Sequence, residues 1–221
     1  MSRIFAIGDI HGCSKTFRKL LTEKIQITKS DEIYCVGDYI DRGNDSKGVI
    51  DFIFELRKEN YRIYTLRGNH EQMLLESAES SQKLKQWILN GGNTTLRSFG
   101  ISSINDLDAV YLDFFKSTEY FIETEKCIFV HAGLNFSLPD PFADKQAMLW
   151  IRDFSVQKEK LKGKILIHGH TPVPLQFILS YVYEDVINID GGCVHNHVEE
   201  LGNLVAFEIN EKKIISVRNI D

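Results

Sequence analysis

Five short segments gather the groups in this 221-residue chain that could bind a metal ion or move a proton. They are Gly8-Asp9-Ile10-His11-Gly12, Gly37-Asp38-Tyr39-Ile40-Asp41-Arg42-Gly43, Gly68-Asn69-His70-Glu71, His131-Ala132-Gly133 and His168-Gly169-His170-Thr171. They hold His11, His70, His131, His168 and His170, five of the seven histidines, together with Asp and Asn oxygens as the other ligand types. Such a set suits hard to borderline divalent ions such as Mn, Fe or Zn. Two ions about 3.5–4 Å apart need one carboxylate to bridge them, because an anionic oxygen pair bonds both and screens their repulsion. Glycines beside each donor let the backbone turn sharply and bring distant side chains to one point. Any one segment alone reads equally well as a strand-end turn whose Asp or Asn caps the next helix. Five in one short chain point to a metal centre.

The elements that must position these groups are short. Apolar runs at Arg3–Gly8, Glu32–Gly37 and Tyr61–Leu66 predict strands, each followed by a helix-compatible stretch, and this alternation suggests parallel βαβ units. Predicted helices are Ser14–Lys24, with Ser14 as N-cap, and Ser46–Lys58, where Val49, Ile50, Ile53, Phe54 and Leu56 form one apolar face. From His70 to about Lys116 the pattern is mostly helical, with a break at Asn90-Gly91-Gly92-Asn93, and reads as an insertion over about 72–116. Further strands are expected at Tyr120–Glu123, Cys127–His131, Lys164–His168, Val186–Ile189, Asn203–Ile209 and Lys213–Val217. A hairpin turn is expected at Asn210-Glu211, and Asn135–Asp144 with its two prolines reads as a loop. The five segments thus fall at carboxyl ends of predicted strands, where α/β folds collect ligands. With no repeat and no linker, the expectation is one α/β domain over 1–221.

Composition narrows the function classes. Hydrophobic residues at 43% and charged residues at 26% exclude disordered and low-complexity classes. A net charge of -5 argues against a nucleic-acid polymer or a membrane surface as partner, since affinity for either comes from clustered Lys and Arg. Cys13, Cys35, Cys127 and Cys193 form no C-x-x-C pair and read as reduced, buried thiols. With no signal-peptide pattern at the start and no apolar run near roughly 18 residues, the expected location is cytoplasmic. Neither a P-loop nor a Cys-x5-Arg phosphatase loop is present: after Cys13 the required position holds Lys19, and Arg18 falls one residue short.

The first three segments match, without a gap, the GDxHG, GDxxDRG and GNHE signatures of the metallophosphoesterases, in the phosphoprotein phosphatase branch. A His-x-Gly and a Gly-His-Thr segment follow in order, so the likeness spans residues 8–171. The chain most resembles short bacterial and bacteriophage serine/threonine phosphatases and the symmetrical diadenosine tetraphosphate hydrolases. The resemblance implies a sandwich of two mixed β-sheets flanked by helices, with the helical insertion. It implies that Asp9 and His11 bind one metal, that Asp38 bridges, and that Asn69, His131 and His170 bind the second. Manganese is the first choice for both ions, with Fe or Zn as alternatives. A hydroxide between two cations can attack phosphorus in line, without a phosphoenzyme.

His70 is the family's candidate acid for the leaving oxygen, with Asp41 orienting it. Arg42, and more weakly Arg152 in Leu149-Trp150-Ile151-Arg152-Asp153, are expected to hold the phosphate by guanidinium forks. The match through Gly169 selects His170 over His168. Arg67 reads as structural, His195 and His197 as an exposed polar pair, and Glu71 as support for a helix start. The expected function is a metal-dependent phosphomonoester hydrolase acting on phosphoserine or phosphothreonine in proteins, with no obligatory regulatory subunit. The alternative is a symmetrical diadenosine tetraphosphate hydrolase; an aromatic sandwich within Ser80–Lys116, to which Trp87, Phe99 and Tyr111 could contribute, would favour it, although these three read first as core residues. A non-catalytic phosphate-binding protein is the third reading.

Overall fold

Residues 2–221 are described by a computed structural model. All nine expected strands form: β1 Ile4–Ile7, β2 Glu32–Cys35, β3 Arg62–Thr65, β4 Phe121–Glu123, β5 Cys127–Val130, β6 Ile165–His168, β7 Val186–Asn188, β8 Asn203–Glu208 and β9 Lys213–Arg218. They make two mixed sheets, ordered β3-β2-β1-β8-β9 and β4-β5-β6-β7. Strands β1 to β3 run parallel, with Phe5 opposite Ile33 and Ile33 opposite Ile63, while β8 and β9 close the sheet antiparallel. In the second sheet β5, β6 and β7 are parallel and β4 is antiparallel to β5.

Strand alternation explains the layering, because successive side chains point to opposite faces. Ala6, Tyr34, Val36, Val205 and Phe207 from the first sheet meet Cys127, Phe129, Ile167 and Ile187 from the second, forming the core between the sheets. Their neighbours Phe5, Ile7, Ile33 and Leu204 face outward onto Phe17, Leu20, Val49, Ile50 and Ile53 of the first two helices. The outer face of the second sheet, through Ile128, Val130 and Leu166, carries a smaller cluster with Phe136, Met148 and Leu161. Burial on both faces of β1, β2, β5 and β6 is why their sequences read as nearly continuous apolar runs, whereas β3 at the sheet edge alternates between exposed and buried residues.

Helix α2 spans Ser46–Lys58 as expected, capped by Asp45, whose carboxylate accepts the Gly48 N–H at 2.9 Å. The first helix departs from expectation. Helix α1 covers Ser14–Lys19 and then widens into a π-helical turn over Leu20–Ile25, which keeps Leu20 and Leu21 buried. Ser14 does not cap it; Cys13 holds the N-cap position and the Ser14 hydroxyl is spent on Asp45. Between β3 and β4 lie α3 Asn69–Glu76, which starts within the third signature, then α4 Ser81–Trp87, α5 Asn93–Phe99 and α6 Ala109–Ser117, with the chain kinked at Gly91. Helices α7 Lys145–Trp150, α8 Lys158–Leu161 and α9 Leu175–Ser180 were not expected, being too short to show a 3.6-residue period. Likewise the expected loop Asn135–Asp144 holds a 3-10 turn at Pro141–Ala143, begun by Asp140 accepting the Phe142 N–H. No helix among the described residues is long and apolar enough to cross a membrane.

Candidate active site

The five segments do meet, at the carboxyl ends of β1, β2, β3, β5 and β6. Holding them there takes unusual backbone: His11, Asp38, Asp41, Arg42 and His170 all have positive φ, between 47° and 71°. Such conformations cost about 1–3 kcal/mol each in a non-glycine residue and persist only where surroundings over-determine them. Here Ile10 and His11 both donate their N–H to the Asp38 carbonyl (3.1 and 2.8 Å), and Gly12 N–H donates to Tyr39 O (2.8 Å), locking the first turn onto the second. Glu71 locks the second onto the third, its oxygens accepting the N–H groups of Asp38, Tyr39 and Gly68 at 2.8–2.9 Å. Any side chain at Gly68 would strike the Asp38 carboxylate, so the third signature needs its glycine.

Two triplets of ligand-capable atoms form, His11–Asp38–His70 and Asp38–His131–His170, sharing Asp38. Asp38 Oδ2 lies 3.4 Å from His11 Nε2, 3.5 Å from His131 Nε2 and 4.0 Å from His70 Nε2. Asn69 Oδ1 lies 3.0 Å from His131 Nε2 and 2.9 Å from His170 Nδ1. His131 Nδ1–H donates to the Val36 carbonyl (3.0 Å) and His11 Nδ1–H to the Ile40 carbonyl (2.8 Å), so the lone pair of each Nε2 points into the site. Facing lone pairs on His131 and Asn69 repel unless a cation joins them. His170 Nε2 is buried with no hydrogen-bond partner. Asp9 is buried, and its carboxylate accepts the His170 N–H at 3.1 Å.

Electrostatics agree with a cation site. Burial lowers the pKa of His11 and His131, and that of His170 to about 3, keeping the imidazoles in the neutral form that binds metal. Burial works to raise the Asp38 pKa, but the pull of a proton held on His131, His70 or His11, together with the bond from the His70 main-chain N–H, outweighs it and sets the direction downward. Burial pushes Asp9 well above its ordinary value, with Asp190 and Asp38 adding repulsion, and burial pushes Asp190 up to about 7. Crowded carboxylates among neutral imidazoles are relieved by divalent ions, so the donor set fits them.

Beside the donors, His70 Nδ1 is 2.7 Å from Asp41 Oδ2, and both side chains are buried. Asp41 also accepts from Trp87 Nε1 (2.9 Å) and from the Thr95 hydroxyl (2.6 Å). Arg42 is exposed at the rim, its Nη1 2.6 Å from His11 Nε2. Arg152 is exposed on another edge, donating to Thr171 Oγ1 at 3.3 Å. Trp150 stands edge-on to His170 with ring centroids 6.2 Å apart.

Several sequence expectations change. Trp87 and Tyr111 are buried in the core, which was their first reading, and Phe99 packs edge-on to Tyr111 at 4.9 Å, so the three do not form a base sandwich. Glu71 does more than start a helix. His195 is half-buried rather than exposed, and burial, then the Arg42 charge, lowers its pKa; only His197 is exposed. His168 points to the outer face of the second sheet against Phe154, at 5.5 Å between ring centroids, and burial brings its pKa to about 4. Arg67 donates to the carbonyls of Phe115, Lys116 and Thr118, as a structural residue would. Asp190 was missed, although Ile189-Asp190-Gly191-Gly192 shows the same strand-end carboxylate and glycine pattern as the other segments.

Comparison with known proteins places this geometry. The calcineurin-like phosphoesterase family matches residues 2–206. The chain is 25% identical over 97% of its length to the asymmetrical bis(5'-nucleosyl)-tetraphosphatase PrpE of Oceanobacillus iheyensis, covering 92% of that protein. It is 41% identical to serine/threonine-protein phosphatase 1 of Salmonella typhimurium over a shorter stretch, 41% of this chain and 39% of that one. Among solved structures, one provisionally assigned as a diadenosine tetraphosphatase superposes with a TM-score of 0.73 at 20% identity, over 100% of this chain and 95% of the other. A serine/threonine phosphatase from Saccharomyces cerevisiae superposes with a TM-score of 0.65 at 14% identity, over 98% and 79%. At such identities these two likenesses are of fold. With the family match over nearly the whole chain and the signature residues gathered at the strand ends, the protein belongs to the calcineurin-like metallophosphoesterases and is a phosphoester hydrolase of a family that uses two divalent metal ions.

Proposed function

We propose that this enzyme removes phosphate from phosphoserine and phosphothreonine in proteins. The observation that supports the reading is the buried His70–Asp41 pair beside the donor cluster, two residues of signatures that the dinucleotide hydrolases share, so that the weight falls on what each leaving group needs. An alkoxide leaving group is a strong base and departs only if protonated, whereas a nucleoside diphosphate leaves as a stable anion and needs an acid far less. In the proposed roles Asp9, His11 and Asp38 hold one ion, and Asp38, Asn69, His131 and His170 the other, with Mn as the metal at both. Two such ions supply a water of lowered pKa and neutralise phosphoryl charge. Arg42 and Arg152 reach the phosphate oxygens from two edges of the site. Asp41 holds the His70 ring by Nδ1, stabilises the imidazolium, and leaves Nε2 to give its proton to the leaving oxygen. The reading takes 1–221 as one catalytic domain, cytoplasmic and acting without an obligatory regulatory subunit.

The second reading is a symmetrical diadenosine tetraphosphate hydrolase; the end-to-end similarity to PrpE, an asymmetrical enzyme by name, favours a dinucleotide substrate but not the symmetrical cut. Comparing kcat/KM for a phosphothreonine peptide and diadenosine tetraphosphate, after reconstitution in turn with Mn, Fe and Zn, separates the two. The first reading expects the peptide to be preferred and Mn to be best. A preference for the dinucleotide replaces it, and no hydrolysis of either would favour a phosphate-binding protein.

A further inference from the structure

We propose that the Trp87–Thr95 turn of the helical insertion is a positioning element for catalysis, with Thr95 and Trp87 as the positioning residues that fix Asp41 and, through it, His70. The inference rests on the reading of His70 as the proton donor and does not depend on which phosphoester is the natural substrate.

Asp41 is fully buried and its carboxylate is closed off by donors. Oδ2 takes His70 Nδ1 at 2.7 Å and Trp87 Nε1 at 2.9 Å; Oδ1 takes the Thr95 hydroxyl at 2.6 Å and the same indole N–H at 3.1 Å. The Thr95 oxygen in turn accepts the Asp41 main-chain N–H at 2.9 Å. One hydroxyl therefore holds both ends of the residue, with its single proton committed to the carboxylate. Asp41 and Arg42 both sit at positive φ, 70° and 67°, where a non-glycine backbone stays only if its surroundings hold it.

The Gly91-Gly92 break makes this approach feasible. Gly91, at φ 107°, accepts the Arg42 N–H through its carbonyl, and a Cβ there would come within 2.8 Å of Arg42 N. A Cβ on Gly92 would come within 2.6 Å of the Trp87 ring. The Thr94 hydroxyl caps the Gly91 carbonyl at 2.9 Å. The turn thus grips the main chain at both members of the Asp41-Arg42 pair. Core packing alone explains the burial of Trp87 but not why its one N–H, together with the Thr95 hydroxyl, is spent on the carboxylate that meets His70.

The test compares an alkyl phosphate, β-glycerophosphate, whose leaving oxygen needs a proton, with p-nitrophenyl phosphate, whose leaving group departs as a stable anion. Thr95→Val, which keeps the shape and removes the hydroxyl, is expected to lower kcat on the alkyl ester about tenfold or more, with KM changed less than about twofold and the aryl ester little affected. Thr95→Ser is expected to restore the alkyl rate, and Trp87→Phe to repeat the Thr95→Val pattern. Equal losses on both esters, or none on either, overturn the proposal. His70→Asn sets the scale: it should show the same selectivity more strongly, and an unchanged ester ratio there would remove the acid role and this inference with it. Independently of activity, the Trp87 indole N–H resonance of the full chain should move upfield in Asp41→Asn while that of Trp150 stays; an unmoved Trp87 signal overturns the contact.

Discussion

Replacing Glu71 with glutamine tests whether one buried carboxylate holds two of the donor turns together. Glu71 is fully buried; its Oε2 accepts the N–H groups of Asp38 (2.8 Å) and Gly68 (2.9 Å), and its Oε1 accepts that of Tyr39 (2.9 Å). Burial, with the Asp38 charge, pushes the Glu71 pKa up to about 8, while the three N–H bonds pull it down. Because every neighbour is a donor, a carboxyl proton would have nothing to bond, and we take the ionised form. Unfolding measured above about pH 8 keeps that charge in place. An amide has the same outline but only one acceptor oxygen. With that oxygen at the Oε2 position, the amide nitrogen faces Tyr39 N–H, donor against donor, away from water. Each orphaned donor costs ~1–3 kcal/mol, so Glu71→Gln is expected to lose about 3 kcal/mol of unfolding free energy. If ~1.4 kcal/mol of the strain falls on Asp38 and Asn69, Mn affinity drops about tenfold. Urea unfolding of the metal-free chain and calorimetric Mn titration read the two effects. A variant within about 0.5 kcal/mol of wild type, at unchanged Mn affinity, would refute the brace.

Three further predictions follow from single contacts. Asp38→Asn removes the charge shared by both donor triplets, so elemental analysis should find bound Mn sharply reduced while circular dichroism is unchanged; full metal content would count against the bridging role. Gly37→Ala puts a Cβ 2.5 Å from the Gly68 nitrogen at a residue with φ 109°, and should cost at least about 2 kcal/mol of stability by denaturant titration. At Asp31, burial works to raise the pKa, but the bonds from Arg3 and Thr28 outweigh it and hold the value low. Its stabilisation is therefore present above the unfolded value of about 3.9 and lost as pH falls through the folded value. With Arg3 partly exposed, Asp31→Asn should cost ~1 kcal/mol at neutral pH, and a gap that does not begin to shrink as pH falls below the unfolded value of about 3.9 would contradict this.

What the sequence made legible was local. Nine strands, helix α2 and the gathering of Asp38, Asn69, His131 and His170 could be read because each depends on a few consecutive residues. An apolar run sets the strand, and a glycine beside a donor sets the turn. The π-helical end of the first helix could not be read, because its apolar residues, the buried Leu20 and Leu21 among them, satisfy an α-helical period equally well. Side-chain roles set by distant partners were also hidden. Glu71 sits one residue after His70, and its position in an incoming helix suggested a dipole role; its partners Asp38 and Tyr39 lie 33 and 32 residues away. Trp87 and Thr95 meet Asp41 across 46 and 54 residues. Read along the chain, Trp87 is another core aromatic and Gly91-Gly92 a gap between helices. In space those same residues complete the surroundings of one carboxylate, which a buried charge requires. Asp41 carries that requirement: a carboxylate placed in the core needs several donors, and beyond His70 its own signature offers too few. A buried carboxylate whose neighbours in sequence cannot satisfy it is a reason to search distant insertions for an indole or a hydroxyl.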